Sequence, residues 1–240
     1  MKAERLDKIL ASQNAGTRKE VGTMIRAGRV SVNGKTVLRP EFKADPEHDT
    51  VELDGAVLTV KKHLYLMMNK PSGVLSDSRN PKAQTVIDLL PHEWRRRGMF
   101  PAGRLDKDTE GLLILTDDGD FAHRMLAPKS HVKKWYEAVL AHPVTEEDVQ
   151  AFRKGLELAD MTCLPAELIP AEGGASAAIV KLREGKFHQV KRMFLARGNK
   201  VLALRRIRIG DLPLDESLSP GESRELSASE LEQIFRGKLL

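Results

Sequence analysis

The sequence predicts an α+β protein with a small N-terminal domain and a larger second domain. Three observations predict it: two helical patterns near the N terminus, two hairpin signals directly after them, and alternating strand patterns separated by helical segments in the remainder. A chain of 240 residues has room for one large and one small domain. We expect the small domain over 1–60, a linker at 61–63 and the larger domain over 64–240.

The small domain is predicted to open with two basic helices. Apolar residues at helical spacing predict the first over 4–11, and Thr17 predicts the cap of the second, with Glu20 as its capping-box partner. Asn-Gly and Asp-Gly dipeptides then predict hairpin turns within 30–37 and 49–60. The basic residues that we place on the outer faces of this domain are Arg5, Lys8, Arg18, Lys19, Arg26 and Arg29.

The larger domain combines strand patterns with helical patterns. Alternation of apolar and polar residues, or short apolar runs, predict strands at 64–68, 112–115, 131–141, 177–182 and 201–204. Apolar residues at helical spacing, mostly after a capping residue, predict helices at 86–90, 121–127, 146–156, 190–197 and 227–235.

Composition narrows the class of protein. The net charge of +5 favours an anionic partner, and a single cysteine, Cys163, fits a reducing compartment without an internal disulfide. No apolar run approaches the roughly 20 residues that span a bilayer, and the N terminus lacks a signal-peptide pattern. His/Cys clusters with metal spacing and Gly-rich phosphate loops are absent from the sequence. We therefore expect a soluble cytoplasmic protein that contacts no membrane and uses no metal or cofactor.

Charge is distributed in alternating blocks along the chain. Residues 1–39 carry nine Lys/Arg against three Asp/Glu, and residues 181–208 carry ten against one. Residues 40–62 and 209–240 are acidic, with three basic residues against six and seven acidic ones respectively. Two basic patches separated by acidic surface favour nucleic acid as the polyanionic partner over ordinary solvated faces.

The stretch 103–120 holds the strongest candidate site. Its apolar entry and exit flank a polar loop, an arrangement that places reactive groups between rigid walls. Alternation predicts that Leu105 points inward while Arg104 and Asp106 share the other face. Spacing alone favours a solvated charged turn here, since charged turns are common.

The motifs resemble those of the RsuA-type RNA pseudouridine synthases. GRLD followed by GLLILT resembles the catalytic motif of that family, which implies that Asp106 is the catalytic residue. The Lys134–Tyr136 pair resembles the second motif, which implies that Tyr136 lies against the target base. GKFHQVKRM resembles the third motif, in which a basic residue pairs with the aspartate; by position this is Lys191, with Arg192 as the alternative.

Further expectations follow from this resemblance. Substrate-binding roles are implied for Tyr136, Lys191, Arg192 and Arg104, and NKPSGV at 69–74 resembles a motif that packs the site loop. The larger domain would be built on a mixed, mainly antiparallel sheet flanked by helices. The chemistry would isomerise a uridine without a cofactor, with Asp106 acting as nucleophile toward the sugar or as base for a sugar proton.

The N-terminal segment resembles the S-four-like RNA-binding module through RLDKIL, TRKEV, IRAGRVSVNG and VELDG. This resemblance implies that the six outward basic residues contact RNA phosphates. The implied partner is ribosomal RNA, most closely 16S RNA within a small-subunit assembly particle, bound by a monomer. The alternatives are the same chemistry on 23S RNA, a non-catalytic RNA-binding or ribosome-assembly protein, and an aspartate-based hydrolase.

Overall fold

The protein, described here from a computed structural model, forms two compact units. The structure describes residues 3–95, 98–127, 130 and 132–236. The first unit comprises Met1–Leu64 with Pro91–Met99, and the second Tyr65–Leu90 with Phe100–Leu240, as far as these residues are described. In the described part of the chain, no helix has both the length and the apolar character needed to cross a membrane.

Two helices and two small sheets make up the first unit. The helices are α1 (Leu6–Ser12) and α2 (Arg18–Arg26), and the strands are β1 (Glu4–Arg5), β2 (Val30–Val32), β3 (Lys35–Thr36), β4 (Lys43–Ala44), β5 (Val51–Leu53) and β6 (Ala56–Val57). A four-stranded sheet has the order β3-β2-β5-β6, and β1 pairs with β4. The helices and the larger sheet enclose one apolar core.

The predicted local signals of the first unit are confirmed. The Thr17 hydroxyl accepts a hydrogen bond from the Glu20 N–H at 3.3 Å, and the Glu20 carboxylate accepts one from the Thr17 N–H at 2.7 Å. Asn33 and Gly34 have φ values of 51° and 73°. Two successive positive φ values form the turn that matches the twist of a hairpin, so this dipeptide sets the β2–β3 register.

The second unit is built on one large sheet. Its strands are β7 (Tyr65–Lys70), β8 (Phe100–Pro101), β9 (Glu110–Thr116), β10 (Lys134–Leu140), β11 (Glu157–Leu158), β12 (Met161–Thr162), β13 (Glu167–Pro170), β14 (Ala177–Leu182), β15 (Val201–Ile209), β16 (Leu212–Pro213) and β17 (Ser223–Glu225). Its helices are α3 (Gly119–Leu126), α4 (Glu146–Lys154), α5 (Gln189–Ala196) and α6 (Ala228–Arg236). Residue 131, where we predicted a strand to begin, lies outside the described residues.

The sheet order is β13-β14-β10-β15-β9-β7-β17, with β16 beside β15 and β8 beside β9. Among the described strands, β9 and β15 form the single parallel pairing, with Arg205 opposite Glu110 and Arg206 opposite Gly111. The prediction of a mixed, mainly antiparallel sheet flanked by helices is therefore confirmed.

Gly111 permits the close approach of β9 and β15. Its φ is 96°, and a Cβ placed there would lie 2.3 Å from the Arg206 carbonyl oxygen. Any side chain would force these two strands apart, because real Cβ contacts are far longer.

The helix predicted over 86–90 is wrong, because this segment forms turns. The N–H and the hydroxyl of Thr85 donate to the Asp88 carboxylate at 2.8 and 2.9 Å, which closes a turn and not a helix. Val86 instead donates its N–H to the carbonyl of Leu75, at 2.9 Å. A five-residue segment before Pro91 is too short to repay helix nucleation, and pairing with the chain around Leu75 replaces the helix.

Candidate active site

The loop between β8 and β9 carries Asp106. Leu105 is buried, Arg104 is exposed, and the Asp106 side chain is 22% exposed. This inward and outward pattern agrees with the alternation that we predicted, although residues 103–109 form a loop rather than a strand. The alternation places the Asp106 carboxylate at the surface of a rigid wall.

A buried lysine stabilises this loop through its backbone carbonyls. The Lys70 ammonium, which is fully buried, donates to the carbonyl oxygens of Pro71, Lys107 and Thr109 at 2.9, 3.1 and 2.9 Å. Burial lowers the pKa of Lys70 to about 8, against the opposing effect of nearby carboxylates. Because three carbonyls accept from it, Lys70 fixes the backbone on the C-terminal side of Asp106.

A second contact fixes the N-terminal side. The buried Ser76 hydroxyl donates to the Leu105 carbonyl at 3.0 Å and accepts from the Leu105 N–H at 3.1 Å. The Gly73 N–H also donates to the Lys107 carbonyl at 2.8 Å. The segment 70–76 therefore holds the backbone on both sides of Asp106, so the carboxylate is presented by an ordered loop.

Two basic side chains from the start of α5 face this carboxylate. The Lys191 ammonium lies 3.5 Å from Asp106 Oδ2, and His188 Nε2 lies 3.5 Å from Asp106 Oδ1. Lys191 also bridges to Asp108 at 2.5 Å, and this hydrogen bond lowers the pKa of the Asp108 carboxyl. One ammonium thus lies between two carboxylates and offsets their mutual repulsion.

Arg192 points elsewhere. Its guanidinium forms an ion pair with Asp160 and donates to the Met161 sulfur at 3.6 Å. Of the two basic residues of the third motif, Lys191 lies beside Asp106, whereas Arg192 contacts the β11–β12 hairpin.

A small pocket lies beside the carboxylate. It has a volume of about 50 Å³. The residues that line it include Asp106, Arg104, Tyr136, Leu182, His188, Val190 and Leu204. Apolar and aromatic walls with one carboxylate suit a flat, uncharged ring.

Comparison with known proteins identifies the family. Residues 64–196 match the family model described as RNA pseudouridylate synthase, and residues 4–51 match the S4 domain. An RNA pseudouridine synthase of Bacillus subtilis is 44% identical, over 95% of this chain and 96% of that protein. The chain belongs to the RNA pseudouridine synthases. It is therefore an isomerase with an S4 domain.

Two further relatives cover the full chain. Ribosomal small subunit pseudouridine synthase A of Escherichia coli is 39% identical, over 96% of this chain and 99% of that protein. A crystal structure of a pseudouridylate synthase, 37% identical, superposes with a TM-score of 0.67 over 96% of this chain and 99% of that one. This synthase thus shares both of its domains, in the same order, with the relatives it matches.

Tyr136 of this synthase is held at its hydroxyl end. The Tyr136 side chain is buried, and its oxygen accepts from Arg206 Nη1 at 3.4 Å. Arg206, itself 4% exposed, donates Nε–H to the Leu112 carbonyl at 2.7 Å. Arg206 therefore connects the tyrosine to β9, the strand that follows the Asp106 loop.

Lys134, the first residue of the second motif, is buried on the same strand as Tyr136. Its ammonium makes no hydrogen bond or ion pair with the residues that the structure describes. Burial, and then repulsion by Arg206, lower the pKa of Lys134 to about 8.

Sequence reasoning assigned no role to Arg206, Ser76 and Phe187. Phe187 is 74% exposed and stacks on the His188 ring at 3.8 Å between centroids. An exposed phenylalanine within the basic third motif was a usable signal, because aromatic residues among cations suit unstacked bases. No local pattern distinguishes Arg206 and Ser76 from other polar residues, since their partners are distant in sequence.

The six predicted RNA-contacting cations of the S4 domain differ in their surroundings. Four of them form ion pairs: Arg5 and Arg18 with Asp7, Lys8 with Glu4, and Arg29 with Asp54. Lys19 and Arg26 are exposed and form no ion pair with any residue that the structure describes. Their charge is therefore uncompensated.

One group of possible metal ligands lies elsewhere in the described residues. Donor atoms of Asp45, Glu47 and His48 lie within 4.8 Å of one another on an exposed turn of the first unit. The Asp45 carboxylate already accepts from the Glu47 N–H at 3.0 Å and contacts His48 Nδ1 at 3.1 Å. These contacts explain the cluster as a capped turn, so we assign no metal to it.

Proposed function

We propose that this synthase converts one uridine of small-subunit ribosomal RNA to pseudouridine, with Asp106 as its catalytic residue and no cofactor. The observation that carries the proposal is that Asp106 and Tyr136 line one pocket, while the Lys191 ammonium lies 3.5 Å from the Asp106 carboxylate. The small-subunit assignment is supported by relatives 39–40% identical that are named ribosomal small subunit pseudouridine synthases.

The reaction breaks the bond between ribose C1′ and uracil N1 and forms one between C1′ and C5. The C5 proton is lost, and N1 ends protonated. Asp106 serves either as the nucleophile at C1′ or as the base for a sugar proton, and each role needs the ionised carboxylate. Lys191 supports this state by charge attraction at 3.5 Å.

The remaining residues act on the base and the RNA. Tyr136 offers a face on which the flipped uracil stacks, and Arg104 at the exposed lip contacts the adjacent backbone. Lys19 and Arg26 of the S4 domain neutralise RNA phosphates. We further propose that the enzyme acts as a monomer on an assembling small-subunit particle, which would place it in the cytoplasm.

Chemical mapping of pseudouridine in ribosomal RNA tests the proposal. RNA from cells lacking the protein is compared with RNA from cells rescued by wild type or by Asp106→Asn, which keeps shape but removes charge. Loss of one small-subunit site, restored by wild type alone, supports the assignment. A lost site in the large subunit refutes the substrate, and rescue by Asp106→Asn refutes the catalytic role.

A further inference from the structure

A second and larger cavity of the catalytic unit lies away from Asp106. Its volume is about 580 Å³. The antiparallel register brings the start of β10 and the start of β13 beside the end of β14, with Trp135 and Glu167 both opposite Lys181. Helix α4 packs against β13 and supplies the other wall. The apolar part of the lining consists of Val149, Leu164, Pro165, Ala166 and Leu168.

Four cations surround this apolar floor. They are Lys133, Arg153, Lys181 and Arg183, and the single acid in the lining is Glu167. The charge of Lys181 is already paired, because its ammonium forms an ion pair with Glu167 at 2.8 Å and lies 4.0 Å from the centre of the Trp135 ring.

The other three cations are uncompensated. Lys133, Arg153 and Arg183 make no ion pair and no side-chain hydrogen bond with the residues described in the structure. Arg153 and Arg183 are exposed, so they are available to a ligand. Unpaired cations around low-dielectric walls attract an anion more strongly than the same charges on an open face.

The cavity adjoins the catalytic pocket through β14. Leu182 lines the Asp106 pocket, whereas its two neighbours, Lys181 and Arg183, line the larger cavity. Successive side chains of an extended segment point in opposite directions, so one strand backbone separates the two spaces. The cavity is therefore a separate space from the Asp106 pocket, on the other face of this segment.

We propose that this cavity binds the substrate RNA outside the catalytic pocket. The ammonium and guanidinium groups of Lys133, Arg153 and Arg183 contact phosphates, and the apolar floor packs against a sugar or base. This inference rests on the proposed function, since it takes the polyanion that occupies the Asp106 pocket as the ligand. Phosphate contacts outside the catalytic pocket hold the RNA while the target base leaves its stack.

The test compares two double variants with the same charge change. Arg153→Glu with Arg183→Glu reverses two cations of the cavity. Lys154→Glu with Lys200→Glu reverses two exposed cations that do not line it, and Lys154 follows Arg153 on α4. Binding to a small-subunit RNA fragment containing the mapped uridine is measured over a range of salt concentrations, with thermal melting as a check on folding.

The cavity variant is expected to bind at least tenfold more weakly than wild type, and the control less than threefold. The magnitude of the negative slope of log K against log salt should decrease by roughly 1.4–1.8 in the cavity variant, because two phosphate contacts are lost. The single-turnover rate at saturating enzyme should stay near that of wild type, since neither residue lines the Asp106 pocket. Equal weakening in both variants would overturn the inference.

Amine footprinting of the wild-type enzyme tests the same inference without a variant. RNA should protect Lys133 from acylation and leave Lys154 reactive. No protection of Lys133, or protection that appears with a ribosomal particle but not with naked RNA, would overturn RNA as the occupant. Product formation by wild type is measured in the same samples. A wild type that binds RNA but makes no pseudouridine refutes the proposed function. An active enzyme with an unprotected Lys133 refutes only the proposal that the cavity binds RNA.

Discussion

The ammonium of Lys191 lies 3.5 Å from the carboxylate of Asp106, although Lys191 belongs to α5 and Asp106 to the loop before β9. We expect Lys191→Met to reduce the single-turnover rate roughly 100-fold, because it removes a charge that stabilises the reacting carboxylate. Lys191→Arg should retain most of the rate. Arg192→Met is the matched comparison on the same helix, and its loss should be only a few fold because Arg192 pairs with Asp160. Equal losses at both positions would contradict the assignment.

Tyr136 is expected to act through its ring. Tyr136→Phe keeps the stacking face and loses one 3.4 Å hydrogen bond with Arg206, so its rate should fall less than about tenfold. Tyr136→Ala should lose at least 100-fold, since stacking on a base contributes about 1–3 kcal/mol and the pocket wall is removed. Single-turnover kinetics on the mapped substrate measures both. An equal loss in the two variants would instead assign the chemistry to the hydroxyl.

Lys134 should make stability depend on pH. The buried ammonium has a pKa of about 8, lowered from the ordinary 10.5, so between these values the unfolded chain binds more protons than the folded one. The contribution of Lys134 to the free energy of unfolding should therefore rise from pH 8 to pH 10.5, by up to about 3 kcal/mol, in addition to any contribution of Lys70. Lys134→Met should be more stable than wild type at pH 7, and this advantage should shrink toward pH 10. Denaturant melts across that range measure it, with exposed Lys154→Met as the control; a constant difference would contradict the prediction.

Lys19 and Arg26, the two unpaired members of the six predicted RNA-contacting cations, should contribute more to RNA affinity than the four paired ones. Lys19→Gln with Arg26→Gln is expected to lower the slope of log K against log salt by roughly 1.4–1.8. Lys8→Gln with Arg29→Gln removes the same charge, but both cations are already paired with carboxylates, so the slope should change less. Filter binding at several salt concentrations distinguishes the pairs, and a larger effect of the paired residues would reverse the assignment.

Local rules predicted the local features of this fold. The capping box at Thr17 and the turn at Asn33-Gly34 each depend on residues within four positions of one another. Such contacts form in isolation, so a sequence pattern contains the information that they need. The helix over 86–90 failed because a partner at Leu75, outside the local window, pairs with that segment.

The candidate site required contacts that local patterns do not specify. The family motifs named Asp106, Tyr136 and the basic pair at Lys191, but the choice between Lys191 and Arg192 depends on how α5 faces a loop more than 80 residues earlier. The resemblance of 69–74 anticipated that this segment packs the site loop. The acceptors themselves, the Thr109 carbonyl for Lys70 and the Leu112 carbonyl for Arg206, have no signature in the sequence and became visible only with the fold.

The parallel pairing of β9 and β15 spans two residue pairs, whereas β7–β9 and β10–β15 are joined by antiparallel ladders of six and seven residues. Asp106 precedes β9 on one side of this join, while Tyr136 and Lys191 lie on the other. The reacting carboxylate and its partners are thus carried by two halves that meet along a narrow seam at Gly111 and Arg206. The position of Asp106 relative to Tyr136 and Lys191 therefore depends on this short join and not on either antiparallel ladder.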